Sequence, residues 1–423
     1  MEENRKKPQI RFAGYTDDWE QRKLLDCIQK ITDFRGRTPK KLGMNWSENG
    51  YLALSALNVK DGYIDFSQDV HYGDQALYDK WMTGNELHKG QVLFTTEAPM
   101  GNVAQVPDNR QYILSQRTIA FDVKPDLITE NFLATVLRTP TVFASLTALS
   151  SGGTAKGVSQ KSLATVDITI PANLNEQEQL ASMFSGIDNL ITLHQRKYNK
   201  LVDVKKFMLE KMFPKNGEKK PEIRFGGFTD DWEQRKLEDF GIATGGTSIE
   251  SEFSENGKYK VISIGSYSEN SFYNDQGIRA VESEKTLKRV LNKGDLTMIL
   301  NDKTASGNII GRVLLIEKSG VYVYNQRTER IEINDEEYDS LFIYEMLNAS
   351  NIREKIIKQA QGNTQIYVNW SAIALTEYLI PKKEEQIKIG QYLSNLDNLI
   401  TLHQREVEKL KNIKKSMLEK MFI

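Results

Sequence analysis

The sequence predicts an α+β protein built as a tandem duplication, in which a mixed α/β module and a long helix occur twice. The first observation is a lead-in, IRFAGYTDDWEQRKL at residues 10–24, which returns as IRFGGFTDDWEQRKL at 223–237. The second is a pair of segments, DNLITLHQR at 188–196 and MLEKMF at 208–213, which both return 209 residues later. Matches of this length on one register indicate an internal repeat. We therefore expect a fold with pseudo-two-fold symmetry.

Each lead-in precedes a region of short β-like runs punctuated by Gly, Asn and Pro. In these regions SQRT at 115–118 corresponds to NQRT at 325–328, and SGGT at 151–154 corresponds to QGNT at 361–364. The two modules share this skeleton and are expected to differ in almost every exposed side chain. The predicted boundaries are residues 1–172 for the first module with its lead-in, 173–215 for a central helix, 216–381 for the second module with its linker, and 382–423 for a C-terminal helix.

Both helical segments carry a heptad seam, with spacings that alternate between four and three residues. The first seam is Leu180, Phe184, Ile187, Ile191, His194, Tyr198, Leu201, Lys205, Met208 and Met212, and the second is Ile389, Leu393, Leu396, Ile400, His403, Val407, Leu410, Lys414, Met417 and Met421. A helix of this length, roughly 57 Å, cannot bury such a stripe alone. We expect the two helices to pair as an antiparallel coiled coil with the modules at opposite ends. The alternative is a parallel pair that packs against another protein.

Charge is distributed unevenly along a chain whose net charge is −1. Residues 196–220 hold nine Lys and Arg against three Asp and Glu, so any nucleic-acid surface must be segregated from acidic faces. No run approaches eighteen apolar residues, and the chain has one cysteine, Cys27. We expect no membrane span, no leader peptide and no intrachain disulfide, which suits a cytoplasmic protein.

The sequence gives little support for a catalytic function. The sequence has no GxGxxG, no GxxxxGK[ST], no DPPY-like methyltransferase motif and no Cys/His cluster for zinc. Asp295, Asp302 and Lys303 resemble a nuclease cluster only loosely, because Asp302 and Lys303 are adjacent. We therefore expect a chain that is not an enzyme and binds no cofactor or metal.

The combined motifs resemble the specificity (S) subunit of type I restriction-modification systems. The lead-ins, GRTP at 36–39 answered by GGTS at 245–248, the SQRT/NQRT pair and the twin LITLHQR…MLEKMF helices carry this resemblance, which covers essentially the whole chain. It implies two target-recognition domains, each reading one half of a bipartite, non-palindromic site on double-stranded DNA. GGTS lacks the proline of GRTP, so the second loop is expected to bend differently.

The resemblance also implies partners. These are two modification subunits that methylate adenine and restriction subunits that use ATP to translocate and cleave DNA. S-adenosylmethionine, ATP and Mg²⁺ are accordingly expected on the partners. The helices would act as a ruler, so that adding or removing one heptad from both changes the number of unread base pairs. The alternative function is a coiled-coil scaffold whose duplicated modules bind proteins, which predicts no salt-dependent DNA affinity.

Loops that differ between the modules are the candidate DNA contacts, because Arg and Lys suit guanine edges, Asn and Gln suit adenine, and hydroxyl groups serve bases or phosphates. In the first module these are Arg37, Thr38, Lys40, Lys41, Asn45, Ser151, Thr154, Lys156 and Gln160, and in the second Thr247, Ser248, Gln361, Asn363, Thr364 and Gln365. Gln116 and Arg117 recur as Gln326 and Arg327. Because they recur, we expect these four to contact phosphate or to buttress the fold.

Three further repeated features have two interpretations each. His194 and His403 could form a buried polar layer that sets helix register, or could lie partly exposed on a helix face. Trp19 and Trp232, with Phe12 and Phe225, are expected to pin each lead-in onto its module rather than to bind a partner. The helix ends are expected to expose Met and Phe for subunit docking, or to pack between helices. The residues concerned are Met208, Met212, Phe213, Met417, Met421 and Phe422.

Overall fold

The computed structural model describes residues 7–150, 157–215, 217–303 and 306–423. The chain forms two compact units, and both long helices are divided between them. The first unit comprises residues 1–195 and 405–423, and the second comprises residues 196–404. Each unit therefore contains one module and a segment of each long helix.

The first unit is a mixed α/β body. Its strands are β1 (Glu20–Lys23), β2 (Ile28–Asp33), β3 (Tyr51–Leu54), β4 (Val59–Lys60), β5 (Tyr63–Ile64), β6 (Tyr72–Gly73), β7 (Val92–Thr95), β8 (Val103–Gln105), β9 (Ile113–Leu114), β10 (Thr118–Val123) and β11 (Asp167–Ile170). Its helices are α1 (Gln75–Met82), α2 (Glu130–Val136), α3 (Pro140–Leu149), α4 (Gln160–Leu163) and the start of α5 (Leu174–Lys211).

The second unit repeats this plan. Its strands are β12 (Glu233–Lys236), β13 (Gly241–Gly245), β14 (Tyr259–Ile262), β15 (Arg279–Ala280), β16 (Leu296–Ile299), β17 (Asn301–Asp302), β18 (Val313–Leu315), β19 (Tyr322–Tyr324), β20 (Thr328–Ile333), β21 (Ile366–Tyr367) and β22 (Glu377–Ile380). Its helices are α6 (Glu284–Leu287), α7 (Ser340–Asn348), α8 (Ser350–Ile357), α9 (Trp370–Ile373) and the start of α10 (Lys383–Met421).

A four-stranded antiparallel sheet organises each unit, in the order β2-β10-β7-β8 in the first and β13-β20-β16-β18 in the second. Alternating side chains feed two cores, as the period of two in a strand requires. In β7, Phe94 joins the core that contains α2 and the start of α5, whereas Leu93 joins the core that contains α1. A smaller sheet pairs β3 parallel to β9, and its counterpart pairs β14 parallel to β19. The α+β class and the duplicated plan are therefore confirmed.

The repeated lead-ins attach each module to its long helix. Strand β1 pairs with β11, and β12 pairs with β22, directly before α5 and α10. Arg11 binds the buried Glu176 at the start of α5 through two bonds of 2.6 and 2.8 Å, and Arg224 binds Glu385 through two bonds of 2.7 Å. Forked Arg–carboxylate pairs fix orientation as well as distance. Each module is thus tied by a forked ion pair to the first turn of its helix.

Trp19 and Trp232 are buried beneath these lead-ins. Trp19 is 4% exposed and packs edge-on against Phe132, and Trp232 is 2% exposed and packs against Phe342. Phe12 and Phe225 pack against the same cores. The structural interpretation of the lead-in aromatics is confirmed.

The helices pair antiparallel within each unit. In the first, Asp188 of α5 binds Lys414 of α10 at 2.7 Å, and the rings of Phe184 and Phe422 lie 5.7 Å apart, so earlier residues of α5 meet later residues of α10. In the second, Lys205 binds Asp397. The expected antiparallel coiled-coil pairing is confirmed for each unit. His194 and His403 are half-buried, and their role in helix register stays a prediction.

The helix ends correct one expectation. Met212 and Phe213 are 2% and 1% exposed in the core of the second unit, and Met421 and Phe422 are 2% and 8% exposed in the core of the first. Of the two interpretations, exposure of these four side chains for docking is wrong and packing in a core is confirmed, because each helix end fills the core under a lead-in tryptophan. Met208 and Met417 are half-buried against the same cores.

No single helix in the described ranges is long and apolar enough to cross a membrane; α2 and α3 meet that test only together, as a pair bent by 69°.

Candidate nucleic-acid interface

The topology of the four-stranded sheets brings the predicted loops together. Strand β10 runs antiparallel to both β2 and β7, so Asp33 and Thr95, the last residues of those strands, lie beside its first residues. In the second unit, β20 begins beside the ends of β13 and β16 in the same way. Segments that leave one strand and enter the next therefore share one end of the sheet, although they are far apart in sequence.

We name the first of these ends the first loop surface, formed by residues 33–45, 96–97, 115–117 and 157–160. Backbone bonds tie its segments together: Thr96 N donates to Arg117 O at 2.8 Å, and Val158 N donates to Thr96 O at 2.9 Å. Gln160 Nε2 reaches back to Asp33 Oδ2 at 2.8 Å. The loop after β2, the SQRT turn and the segment that follows the SGGT motif thus form one surface.

The second loop surface is formed by residues 245–250, 300–303, 325–327 and 361–367. Gly246 N donates to Thr328 O at 2.8 Å, and Leu300 N donates to Arg327 O at 3.0 Å. The QGNT segment is a tight loop closed by two 2.9 Å backbone bonds between Gln361 and Tyr367, and β21 anchors it to β17. The same three kinds of segment therefore meet in both units.

The recurring arginines shape these surfaces through their backbone. Arg117 and Arg327 have φ values of 65° and 68°, a left-handed conformation that is uncommon outside glycine. Each carbonyl accepts a hydrogen bond from the backbone N–H of the residue that follows a neighbouring strand, Thr96 after β7 and Leu300 after β16. This accounts for a buttressing role in both units. The exposed side chain of Arg117 binds Glu97 at 2.9 Å, and Gln326 donates to Glu250 at 3.2 Å, while Gln116 is half-buried.

The predicted residues of the first module differ in how far the fold restrains them. Arg37 stacks 4.2 Å above the Phe34 ring and donates to Trp81 O at 2.6 Å, so it braces the loop. Lys41 donates to Gly36 O at 2.7 Å, and Thr38 accepts from Lys41 N. Lys40 and Asn45 are exposed. Ser151, Thr154 and Lys156 lie outside the described residues.

The predicted residues of the second module are exposed on the second loop surface: Thr247, Ser248, Gln361, Asn363, Thr364 and Gln365. Sequence reasoning missed Arg289, which donates to Gly245 O at 2.6 Å and to Thr247 Oγ1 at 2.9 Å while stacking on the Tyr324 ring. No local motif marks it, because its contacts are with a loop more than 40 residues away in sequence.

Two carboxyl groups at the sheet ends were also missed, and they differ in ionisation. Burial would raise the pKa of Asp33, but hydrogen bonds from Arg35 and Gln160 hold that pKa below its ordinary value. Burial raises the pKa of Glu329 to about 7, opposed only by the charge of Arg289. The first loop surface thus carries an ionised carboxylate paired with Arg35, whereas the carboxyl group beside the second loop surface titrates near neutrality.

The nuclease-like residues take structural roles. Asp295 binds Arg330 at 2.8 Å, and Asp302 accepts from Ile309 N at 2.9 Å. Within the described ranges there is no group of three His, Cys, Asp or Glu residues that could hold a metal ion.

The long helices present a repeated apolar feature outside the seam. Leu190 and Leu193 of α5 are 46% and 47% exposed, and Leu399 and Leu402 of α10 are 43% and 51% exposed. These pairs are equivalent in the two repeats, because both belong to the duplicated DNLITLHQR segment. Repetition of an exposed apolar pair distinguishes it from a singly exposed leucine, which is ordinary.

Comparisons with known proteins agree with this geometry. The family model described as type I restriction modification DNA specificity domain matches residues 16–202 and 229–412. The chain is 26% identical to the type I restriction enzyme MjaVIII specificity subunit of Methanocaldococcus jannaschii, over 95% of this chain and 91% of that one. It is 25% identical to the putative type I restriction enzyme MjaX specificity subunit of the same organism, over 99% and 95%.

Among solved structures, the crystal structure of the type I restriction-modification system S subunit from M. genitalium covers 99% of both chains, with 16% identity and a TM-score of 0.64. This likeness concerns the fold. The family model matches two successive segments that together span most of the sequence and coincide with the two repeats. The chain belongs to the type I restriction-modification DNA specificity family.

Proposed function

We propose that this chain recognises a bipartite, non-palindromic DNA site, with one half-site read by the loop surface of each unit. One observation carries the proposal: both units bring the same three loop segments to the same end of the same sheet, with different side chains on them. A shared backbone positions the loops on DNA, and the differing side chains supply two sequence preferences. The exposed amides of Asn363 and Gln365 suit adenine edges, whereas Lys40 suits guanine or phosphate.

The chemistry belongs to partner subunits in this proposal. The chain itself is non-catalytic and directs adenine methylation and ATP-dependent cleavage by modification and restriction subunits. S-adenosylmethionine, ATP and Mg²⁺ are bound by those partners. Because the DNA to be modified lies in the cytoplasm, the complex acts there.

The repeated leucines support two copies of the modification subunit. Leu190 with Leu193, and Leu399 with Leu402, offer the same apolar feature twice, and identical features bind identical partners. Each pair lies in the repeated DNLITLHQR segment rather than on a loop surface. A partner that docks there does not compete with DNA for the loops.

Native mass spectrometry of the reconstituted complex tests this stoichiometry. The double variant L190S/L193S should carry one modification subunit where the parent carries two, and L399S/L402S should behave alike. The matched control is L287S/L375S, which changes two leucines that are 55% and 56% exposed elsewhere. Retention of two modification subunits by both helix variants would contradict the docking assignment.

Loop substitutions test recognition. In the reconstituted complex, N363A/T364A/Q365A should lower the preference for the half-site of the second unit by about tenfold or more, because base contacts contribute about 1–3 kcal/mol each. The preference for the other half-site should not change. The control E354A/K358A alters two exposed residues outside the second loop surface, Glu354 in α8 and Lys358 directly after it.

Salt dependence separates DNA recognition from the scaffold alternative. Recognition predicts that DNA affinity of the complex falls steeply as salt increases, and that both half-site preferences persist at low salt. A protein-binding scaffold predicts neither. Loop variants that leave both preferences intact while the complex still methylates DNA would reject the proposed function.

A further inference from the structure

Glu329 carries a carboxyl group beside the second loop surface, and the first unit has no carboxyl group at the equivalent position. It lies in β20 directly opposite Gly245 of β13 and Met298 of β16. The NQRT and SQRT motifs make Ile119 its equivalent, and Ile119 is fully buried. An ionisable group has therefore replaced an apolar core residue at the end of the sheet where the predicted DNA loops meet.

The neighbouring strand explains the space that Glu329 occupies. Gly245 stands where the first unit has Asp33, because each lies opposite the residue that follows the QRT motif. A Cβ added at Gly245 would lie 3.3 Å from Glu329 Oε2. Since residues directly opposite in a ladder share a face, both units place a carboxyl group on the same face of the sheet end, from opposite strands.

The two carboxyl groups differ in what surrounds them. Asp33 is already bound by Arg35 and Gln160. The part of the chain that the structure describes offers the side chain of Glu329 neither a hydrogen bond nor an ion pair. Arg289 nearby donates to Gly245 O, Thr247 Oγ1 and Tyr324 Oη. Glu329 is 6% exposed and lies at the end of the sheet, beside the second loop surface.

An unpartnered acceptor at a sheet end is costly unless it acquires a donor. Burial raises the pKa of Glu329 to about 7, so the group is about half carboxylate at neutral pH and mostly carboxylate above it. A carboxylate accepts hydrogen bonds only. In the major groove, guanine and thymine present acceptors to it, and adenine places its N7 acceptor beside its amino group. Cytosine presents an amino donor without an adjacent acceptor.

We propose that Glu329 is a specificity-determining residue that accepts a hydrogen bond from the N4 amino group of a cytosine in the half-site read by the second unit. This inference rests on the proposed function and deepens it. The first loop surface has no equivalent contact, because Ile119 is apolar and Asp33 is already paired. The two half-sites therefore differ in whether a buried carboxylate reads a cytosine.

A base-preference profile of the reconstituted complex tests the assignment. Every position of both half-sites is varied, and relative methylation rates are measured for the parent, E329I and E329Q. The parent should prefer cytosine at one position of the second half-site by about 5- to 150-fold. E329I, which introduces the residue of the first unit, should lose that preference alone, and E329Q should keep part of it through its amide oxygen.

Each outcome is decisive. E329I and E329Q complexes that methylate DNA with the parental preference at every position would overturn the assignment while leaving the proposed function intact. A parent complex without sequence preference in either half-site would reject the proposed function itself. Thermal melts confirm that each variant folds, and the isosteric E329Q preserves the test if E329I does not. The control E354Q changes an exposed carboxylate of α8 and should match the parent.

Discussion

Glu345 combines almost complete burial with an ionisable carboxyl group. It is 2% exposed on α7, its Oε2 lies 2.9 Å from Lys205 Nζ, and Lys205 also binds Asp397. Its Oε1 has no partner among the residues that the structure describes. One ammonium group thus serves two carboxylates, and burial raises the pKa of Glu345 to about 7 despite the opposing charge of Lys205.

Replacement of Glu345 by Gln should remove a pH-dependent loss of stability. The pKa of Glu345 in the folded state lies above its ordinary value of 4.5. The contribution of Glu345 to the free energy of unfolding is therefore fully present below pH 4.5 and is lost as the pH rises through about 7. Between about pH 5 and pH 8 the free energy of unfolding of the parent should fall by on the order of 1–3 kcal/mol more than that of E345Q. Urea denaturation at several pH values measures the difference. E354Q is the control, and identical pH profiles for parent and E345Q would contradict the prediction.

Individual tertiary contacts were the least predictable part of the candidate interface. Arg37 has the residue type of a base contact, yet it stacks on Phe34 and binds a carbonyl 44 residues away in sequence. Arg289 and Glu329 gave no local signal, because their roles arise from strands that the fold brings beside them. The loops that carry exposed polar residues, such as Asn363, were predictable because they interrupt a repeated skeleton.

The ends of the long helices complete the cores beneath the two lead-ins. Phe422 contacts Trp19, Phe132 and Phe184 in the first unit, and Phe213 contacts Trp232 and Phe342 in the second. The residues of one sequence repeat therefore do not form one packed unit by themselves. Each lead-in tryptophan packs against the end of the long helix that belongs to the other repeat.

Substitution of Phe422 by Ala should destabilise the first unit by about 3–5 kcal/mol, the usual cost of removing a buried phenylalanine. F213A should do the same to the second unit. Hydrogen exchange of β10 and β20, the central strands of the two sheets, measures each unit separately. Because the contacts lie within one unit, F422A should increase exchange in β10 more than in β20, and F213A should show the reverse. Equal effects of both variants on both strands would contradict this packing.

The pairing of the helices was predictable from their heptads, whereas the charges around them were not. The equivalent ion pairs Asp188–Lys414 and Lys205–Asp397 follow from the duplication. Their third partners are opposite in charge, because Arg138 binds Asp188 and Glu345 binds Lys205. Arg138 lies in the turn after α2, and Glu345 lies in α7. Both belong to the diverged modules, so the repeat in the long helices does not reveal them.

Duplication affects the whole chain, because two diverged modules on one scaffold allow one polypeptide to recognise two different half-sites. The α+β class, the repeated topology and the antiparallel pairing followed from two repeated motifs and a heptad pattern. The burial of the helix ends did not follow from the sequence, because the MLEKMF segment is the same whether it docks a partner or packs in a core. Position in the folded unit, rather than composition, decides between these roles.

Insertion of one heptad at equivalent points of α5 and α10 should lengthen the unread gap of the DNA site. Seven residues preserve the seam and add about 10 Å of helix, equivalent to about three base pairs. Sequencing of methylated sites measures the gap, and both half-site sequences should stay the same. A variant that folds and methylates with the parental gap would show that helix length does not set the spacing.

Modification-sensitive sequencing of genomic DNA, from cells that contain the modification subunit with and without this chain, tests DNA recognition most directly. We expect a split motif with methylated adenines on opposite strands that appears only when the chain is present. The same motif would give both half-sites and the gap between them. Identical maps in the two conditions, with an active modification subunit and a folded chain, would contradict recognition by this chain and favour the protein-binding scaffold.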